Sequence, residues 1–137
     1  FGWYPGPSGQ LADRTFLSEY LDAVRACYPN EAIMVTETGA EANRSGPVEE
    51  KGTYEFQQDL INYHLRTYRS KPYINGAVTW ILRDFRVRPD WEGGNPKPES
   101  PWNQKGLVNQ FYERKPAFKT VRDLYKTVRT VARRVTG

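Results

Sequence analysis

The run Ile33-Met34-Val35-Thr36-Glu37-Thr38-Gly39-Ala40 carries an apolar, β-branched segment straight into a carboxylate, and a glycine follows two residues later. In a parallel α/β barrel, catalytic side chains gather at the carboxyl ends of the strands. A glutamate there is held by a rigid element and partly shielded from water, which are the conditions a carboxylate nucleophile needs. The same pattern also arises when a strand-end Glu merely pairs with a nearby Arg. A second charged group, Arg83, Asp84, Arg86 and Arg88, follows another apolar run. These residues could line a pocket, but at least two of them are expected to form structural pairs. His64, beside Tyr63 in a helical pattern, reads as a packing residue. One His, one Cys and no Asp-rich loop give no metal-ligand spacing, so neither a metal nor another cofactor is expected.

The elements that must position Glu37 can be read from periodicity. Phe1-Gly2-Trp3-Tyr4 reads as the end of a buried strand, broken by Pro5-Gly6-Pro7-Ser8-Gly9. Leu17, Tyr20, Leu21, Val24 and Tyr28 recur at helical spacing, and Pro29-Asn30 closes that helix. Ala32 to Thr36 has the short apolar character of a strand covered on both faces. A polar loop over 41–52 leads to a helix from about Thr53 to Arg69, and Asn75 to Leu82 forms the next strand. Residues 83–105 make a long Pro- and Gly-rich loop, a length that in compact domains usually serves function. The last helix starts at Lys115-Pro116, with a stripe of Phe118, Val121, Leu124, Tyr125, Val128, Val131 and Val135.

Alternating strands and helices of these lengths predict βαβ units and a parallel sheet. Three strands are too few for such a sheet to stand alone, so the 137 residues are expected to close a larger barrel. The net charge of +4 is concentrated between Arg114 and Arg134, where Asp123 is the single acid. The basic residues alternate with the apolar stripe and carry no DNA-binding motif, so this is read as a solvated helix face rather than a nucleic-acid site. No apolar run approaches a membrane span, and no membrane partner is expected. The lone Cys27 excludes an intrachain disulfide and fits a soluble chain of a reducing, cytoplasmic compartment better than a secreted one.

The ordered set Phe1-Gly2-Trp3-Tyr4, Thr36-Glu37-Thr38-Gly39, Val78 to Phe85, Asn103-Gln104-Lys105-Gly106-Leu107 and Arg114-Lys115-Pro116-Ala117 resembles glycoside hydrolase family 2 over nearly the whole chain. It is most similar to the β-glucuronidase and β-galactosidase group. The resemblance implies an α/β fold in which residues 1–137 are the C-terminal portion, about three βα units, of a (β/α)8 TIM barrel. It implies Glu37 as the catalytic nucleophile, with Tyr4 and Trp80 as substrate-binding aromatics; a tryptophan buried in a barrel core is the plainer reading of Trp80. Asn103 and Lys105 match an Asn-x-Lys pair that binds the carboxylate of a uronic sugar, although Asn95-Pro96-Lys97 offers a second such pair eight residues earlier. The resemblance places the family's general acid/base glutamate in an Asn-Glu motif at the end of the fourth barrel strand, a segment absent here.

These implications lead to a retaining β-glycosidase of β-glucuronidase-like specificity, acting on a carbohydrate β-glycoside. The alternatives are β-galactosidase-like specificity and a non-catalytic carbohydrate-binding barrel relic. A retaining glycosidase works with two carboxyl groups, so the 137 residues alone are expected to be inactive. Open sheet edges are expected to favour self-association or pairing with the missing part of the barrel.

Overall fold

The computed structural model describes residues 14–91 and 94–128, with side chains from Phe16 onward. Tyr4, Val131 and Val135 lie outside the described residues. The elements are α1 (Arg14–Cys27), β1 (Ile33–Thr38), β2 (Ala42–Arg44), β3 (Gly52–Thr53), α2 (Tyr54–Ser70), β4 (Ile74–Thr79), β5 (Phe85–Arg86), β6 (Trp102–Asn103) and α3 (Pro116–Lys126). Three long elements, β1, α2 and β4, form a parallel β-α-β unit, and the six strands pair off as β1–β4, β2–β3 and β5–β6. The chain is thus an α/β structure.

Helix α2 organises the core. Phe56, Leu60, Ile61, Leu65 and Tyr68 recur at helical spacing and are all buried. The Thr53 hydroxyl caps the start by accepting from Phe56 N at 3.1 Å, which satisfies one of the free amides of the first turn. Leu17 and Leu21 of α1, and Ala117 and Val121 of α3, complete the same cluster. Gln58 Nε2 donates to Thr120 Oγ1 at 3.0 Å, joining α2 to α3.

The helical stripes read from the sequence are narrower in the structure. Tyr20 of α1 and Tyr28 just beyond it are exposed, as are Tyr125 of α3 and Val128 beyond its end. Aromatic residues flanking an apolar stripe extend its apparent width without being drawn inside. The polar loop at 41–52 and the long loop at 83–105 also contain the short strands β2, β3, β5 and β6. Among the described residues, no helix is long and apolar enough to cross a membrane.

Candidate active site

Strict alternation along β1 would put Glu37 on the same face as Val35, under the helices. The register prevents this. Val35 pairs with Ala77 and Thr38 with Thr79, so β1 spends one more residue than β4 over that interval. Such a bulge puts two successive side chains on one face. Val35 packs against the helical core, and Thr38 is 1% exposed and shares a 2.7 Å hydrogen bond with His64 Nδ1 on α2. Thr36 and Glu37, between them, are both exposed. The bulge therefore turns Glu37 to the face opposite the helices, where Met34 and Val78 also stand exposed.

Three backbone segments are laced together at this end of the sheet. Trp80 N donates to Thr38 O at 2.8 Å, and Ile81 N donates to Lys105 O at 3.3 Å. Leu107 N and Val108 N return to Ile81 O and Leu82 O, each at 2.9 Å. Gly39 is needed for the first of these crossings, because a Cβ there would lie 2.1 Å from Trp80 O. Gly106 is needed for the next, where a Cβ would meet Asp84 N at 2.3 Å. Gln57 of α2 is fully buried beneath the seam, and its Nε2 donates to Ala40 O at 2.9 Å and Gly106 O at 3.1 Å. One amide thus fixes the segments that follow Glu37 and Lys105.

Trp80 follows β4 directly and is partly buried. The Trp80–Ile81 peptide bond is cis. Phe85 of β5 meets the indole edge-on, with ring centres 6.1 Å apart, and supports one side of it.

The two Asn-x-Lys segments form the same local turn. Asn103 Oδ1 accepts from Lys105 N at 3.2 Å, and Asn95 Oδ1 accepts from Lys97 N at 3.1 Å. Their lysines diverge. Lys97 is exposed and reaches Glu50 Oε1 at 3.2 Å, in a network that also holds Arg44 of β2. Lys105 is 0% exposed, with its ammonium 3.8 Å from Glu41 Oε1 and 5.5 Å from the centre of the Trp91 ring. Burial drives the Lys105 ammonium down to about 8, against the opposing pull of Glu41 and Glu37. The Glu37 charge thus acts on the Lys105 ammonium.

A second buried pair braces the site from behind. Lys115, at the start of α3, donates from Nζ to Asp84 Oδ1 at 2.9 Å, Ala42 O at 2.8 Å and Gln104 O at 2.8 Å. All three ammonium donors are used. Asp84 Oδ1 also accepts from Gly106 N at 2.7 Å. Burial is the leading influence on both groups, pushing the Asp84 carboxyl up and the Lys115 ammonium down. Of the other charged residues after β4, Arg83 stacks on Tyr112 and donates to its hydroxyl at 2.7 Å, while Arg88 pairs with Asp90 in solvent.

The arrangement thus joins an exposed, rigidly mounted carboxylate, a supported indole and a buried cation within one seam of backbone. Among the described residues no group of His, Cys, Asp and Glu has the makings of a metal site. Glu41, Gln57 and Trp91 were not singled out by the sequence pattern, and Lys115 only as a helix start and part of the Arg114-Lys115-Pro116-Ala117 run. Glu41, four residues beyond Glu37 in a segment otherwise read as polar loop, was the one with a local signal.

No protein-family model matches the sequence, and no curated protein matches it. Solved structures do. The chain is similar to a GH2 beta-galacturonidase from Eisenbergiella tayi bound to galacturonate, with 26% identity and a TM-score of 0.73 over 85% of this chain and 22% of that one. It is similar to a Bifidobacterium dentium beta-glucuronidase complexed with coumarin-3-O-glucuronide, with 22% identity and a TM-score of 0.73 over 96% of this chain and 20% of that one. A Ruminococcus gnavus beta-glucuronidase matches at 18% identity and a TM-score of 0.72, over 87% of this chain and 20% of that one. The chain therefore spans about a fifth of the length of the enzymes it matches, and its resemblance to glycoside hydrolase family 2 extends through most of its own length.

Proposed function

We propose that the chain is the C-terminal portion of a (β/α)8 catalytic barrel in a retaining β-glycosidase, and that the sugar it takes is a uronic acid. Glu37 is the nucleophile. It attacks the anomeric carbon as the glycosidic bond breaks, forming a covalent glycosyl ester that water then hydrolyses with net retention. The general acid/base is a second carboxylic acid supplied by a part of the enzyme outside these residues. Trp80 lies along a face of the sugar, where a flat apolar ring suits the C–H surface of a pyranose. Lys105 meets the uronate carboxylate as a charged donor, and Asn103 fixes the turn that carries it.

The observation that carries this reading is the bulge in β1, which turns Glu37 to the open face while its charge still acts on the Lys105 ammonium. A non-catalytic sugar-binding barrel has no use for a carboxylate mounted in this way. The similarity to enzymes described as beta-glucuronidases and a beta-galacturonidase favours a uronide over a neutral galactoside. The Trp91 indole covers the ammonium, so a uronate reaches Lys105 by displacing that ring. Azide rescue tests the reading. In the intact enzyme, Glu37→Ala should lose hydrolysis of aryl β-uronides, and azide should restore turnover with an α-glycosyl azide as product. A Glu37→Ala enzyme that still hydrolyses at the wild-type rate would remove Glu37 from the mechanism.

A further inference from the structure

Glu41 is 2% exposed, and its two oxygens serve different parts of the site. Oε1 stands 3.8 Å from Lys105 Nζ, and Oε2 accepts from the Asn95 backbone amide at 3.0 Å. One buried carboxylate thus joins the Lys105 ammonium to the backbone of the Asn95-Pro96-Lys97 turn. Packing alone does not call for it, because a carboxylate removed from water is costly unless charges and donors compensate. We propose that Glu41 is the positioning residue for uronate recognition, acting as the permanent counter-charge that keeps the Lys105 ammonium protonated and in place throughout the reaction.

The inference rests on the uronate reading above. Two carboxylates oppose the loss of the Lys105 proton, Glu41 first and Glu37 second. Glu37 cannot do so continuously. When it forms the glycosyl ester its negative charge disappears, and at that stage Glu41 is the one of the two that still carries charge. A lysine that shed its proton there would release the sugar carboxylate in mid-reaction. Asp84 and Lys115 also lie within the electrostatic reach of Glu41, as a separate pair behind the seam. A variant at Glu41 therefore acts on both pairs, and the test has to separate them.

The measurement is kcat/KM of the intact enzyme for 4-nitrophenyl β-glucuronide and β-galacturonide across the alkaline range. Wild type, Glu41→Gln, Lys105→Met and the double variant are compared, with thermal melting to verify folding. Glutamine keeps an acceptor for the Asn95 amide and removes the charge. The alkaline limb, expected near pH 8 in the wild type from the Lys105 ammonium, should fall by about one pH unit in Glu41→Gln. It should be absent from Lys105→Met, and Glu41→Gln should add no shift in that background. An unmoved limb in folded Glu41→Gln, or an equal shift without Lys105, overturns the proposal. If Glu41→Gln does not fold, Glu41→Asp serves: the limb should stay while KM rises, and a collapse of the limb with the charge retained overturns it. Carbon-13 titration of the Lys105 ε-methylene reads the same coupling without substrate. A Glu41-dependent shift there, in an enzyme that ignores uronides, would mean that the uronate reading had failed rather than the pairing; no shift would mean that the pairing had.

Discussion

Gly39 connects sequence to site at the smallest scale. The space for its missing Cβ is occupied by the Trp80 carbonyl oxygen at 2.1 Å, while Trp80 N is bonded to Thr38 O. Gly39→Ala would force apart the segments that leave β1 and β4, next to Glu37 and at Trp80, and should cost at least about 2 kcal/mol. Chemical denaturation of the chain measures it; a loss within about 0.5 kcal/mol would show that the crossing relaxes freely. Lys105 gives a second prediction, with opposite signs for binding and stability. Its folded ammonium titrates at about 8, below the ordinary lysine value of 10.5. Between those values the unfolded chain holds a proton that the folded chain has released, so stability should rise with pH. Uronide affinity should fall over the same window as the charge is lost. The difference between wild type and Lys105→Met isolates both effects from the other titrating groups. A difference that is flat from pH 8 to 10.5 would contradict the assignment.

At the scale of elements, the strand bulge and the long loop do most of the positioning. The Glu37 segment, the helix from Thr53 and the helix start at Lys115-Pro116 were legible because apolar periodicity and caps are local signals. The bulge was not, since it depends on how β1 meets β4. Strands β2, β3, β5 and β6 are only two or three residues long and sit among prolines and glycines, so no alternation could announce them. They are held by distant side chains instead. Arg44 of β2 donates to Asn95 Oδ1 at 3.1 Å, and Lys115 reaches back to Ala42 O at 2.8 Å. Such contacts join residues far apart in sequence and leave no pattern within a window. The Asp84–Lys115 pair also separates two roles that proximity in sequence could not: Asp84 braces the loop, whereas its neighbour Arg83 turns outward to Tyr112. Lys115→Met leaves the Asp84 carboxylate buried and uncompensated, and should destabilise the chain by about 3–5 kcal/mol. Thermal unfolding would show it, and a melting point within a degree or two of wild type would contradict the brace.

At the scale of the whole molecule, the β1–β4 sheet has two strands among the described residues. Among the described residues β1 and β4 pair only with each other, and Met34, Val78 and Leu82 are exposed on or beside them. Apolar strand faces and unpaired edges are covered in a closed barrel, and here they are available to other chains. Light scattering of the isolated chain should therefore find species larger than 15.9 kDa; a clean monomer at high concentration would contradict the open-edge account. The isolated chain should also leave aryl β-uronides intact, because a retaining mechanism needs a second carboxyl group about 5–5.5 Å from the nucleophile. The central claim is that Glu37 forms the covalent bond to the sugar. Its most direct test is peptide mass spectrometry of the intact enzyme after exposure to a 2-deoxy-2-fluoro-glucuronosyl fluoride or its galacturonosyl counterpart. The account predicts one added fluorosugar, on Glu37, while an active enzyme labelled at a different carboxylate with Glu37 unmodified would contradict it.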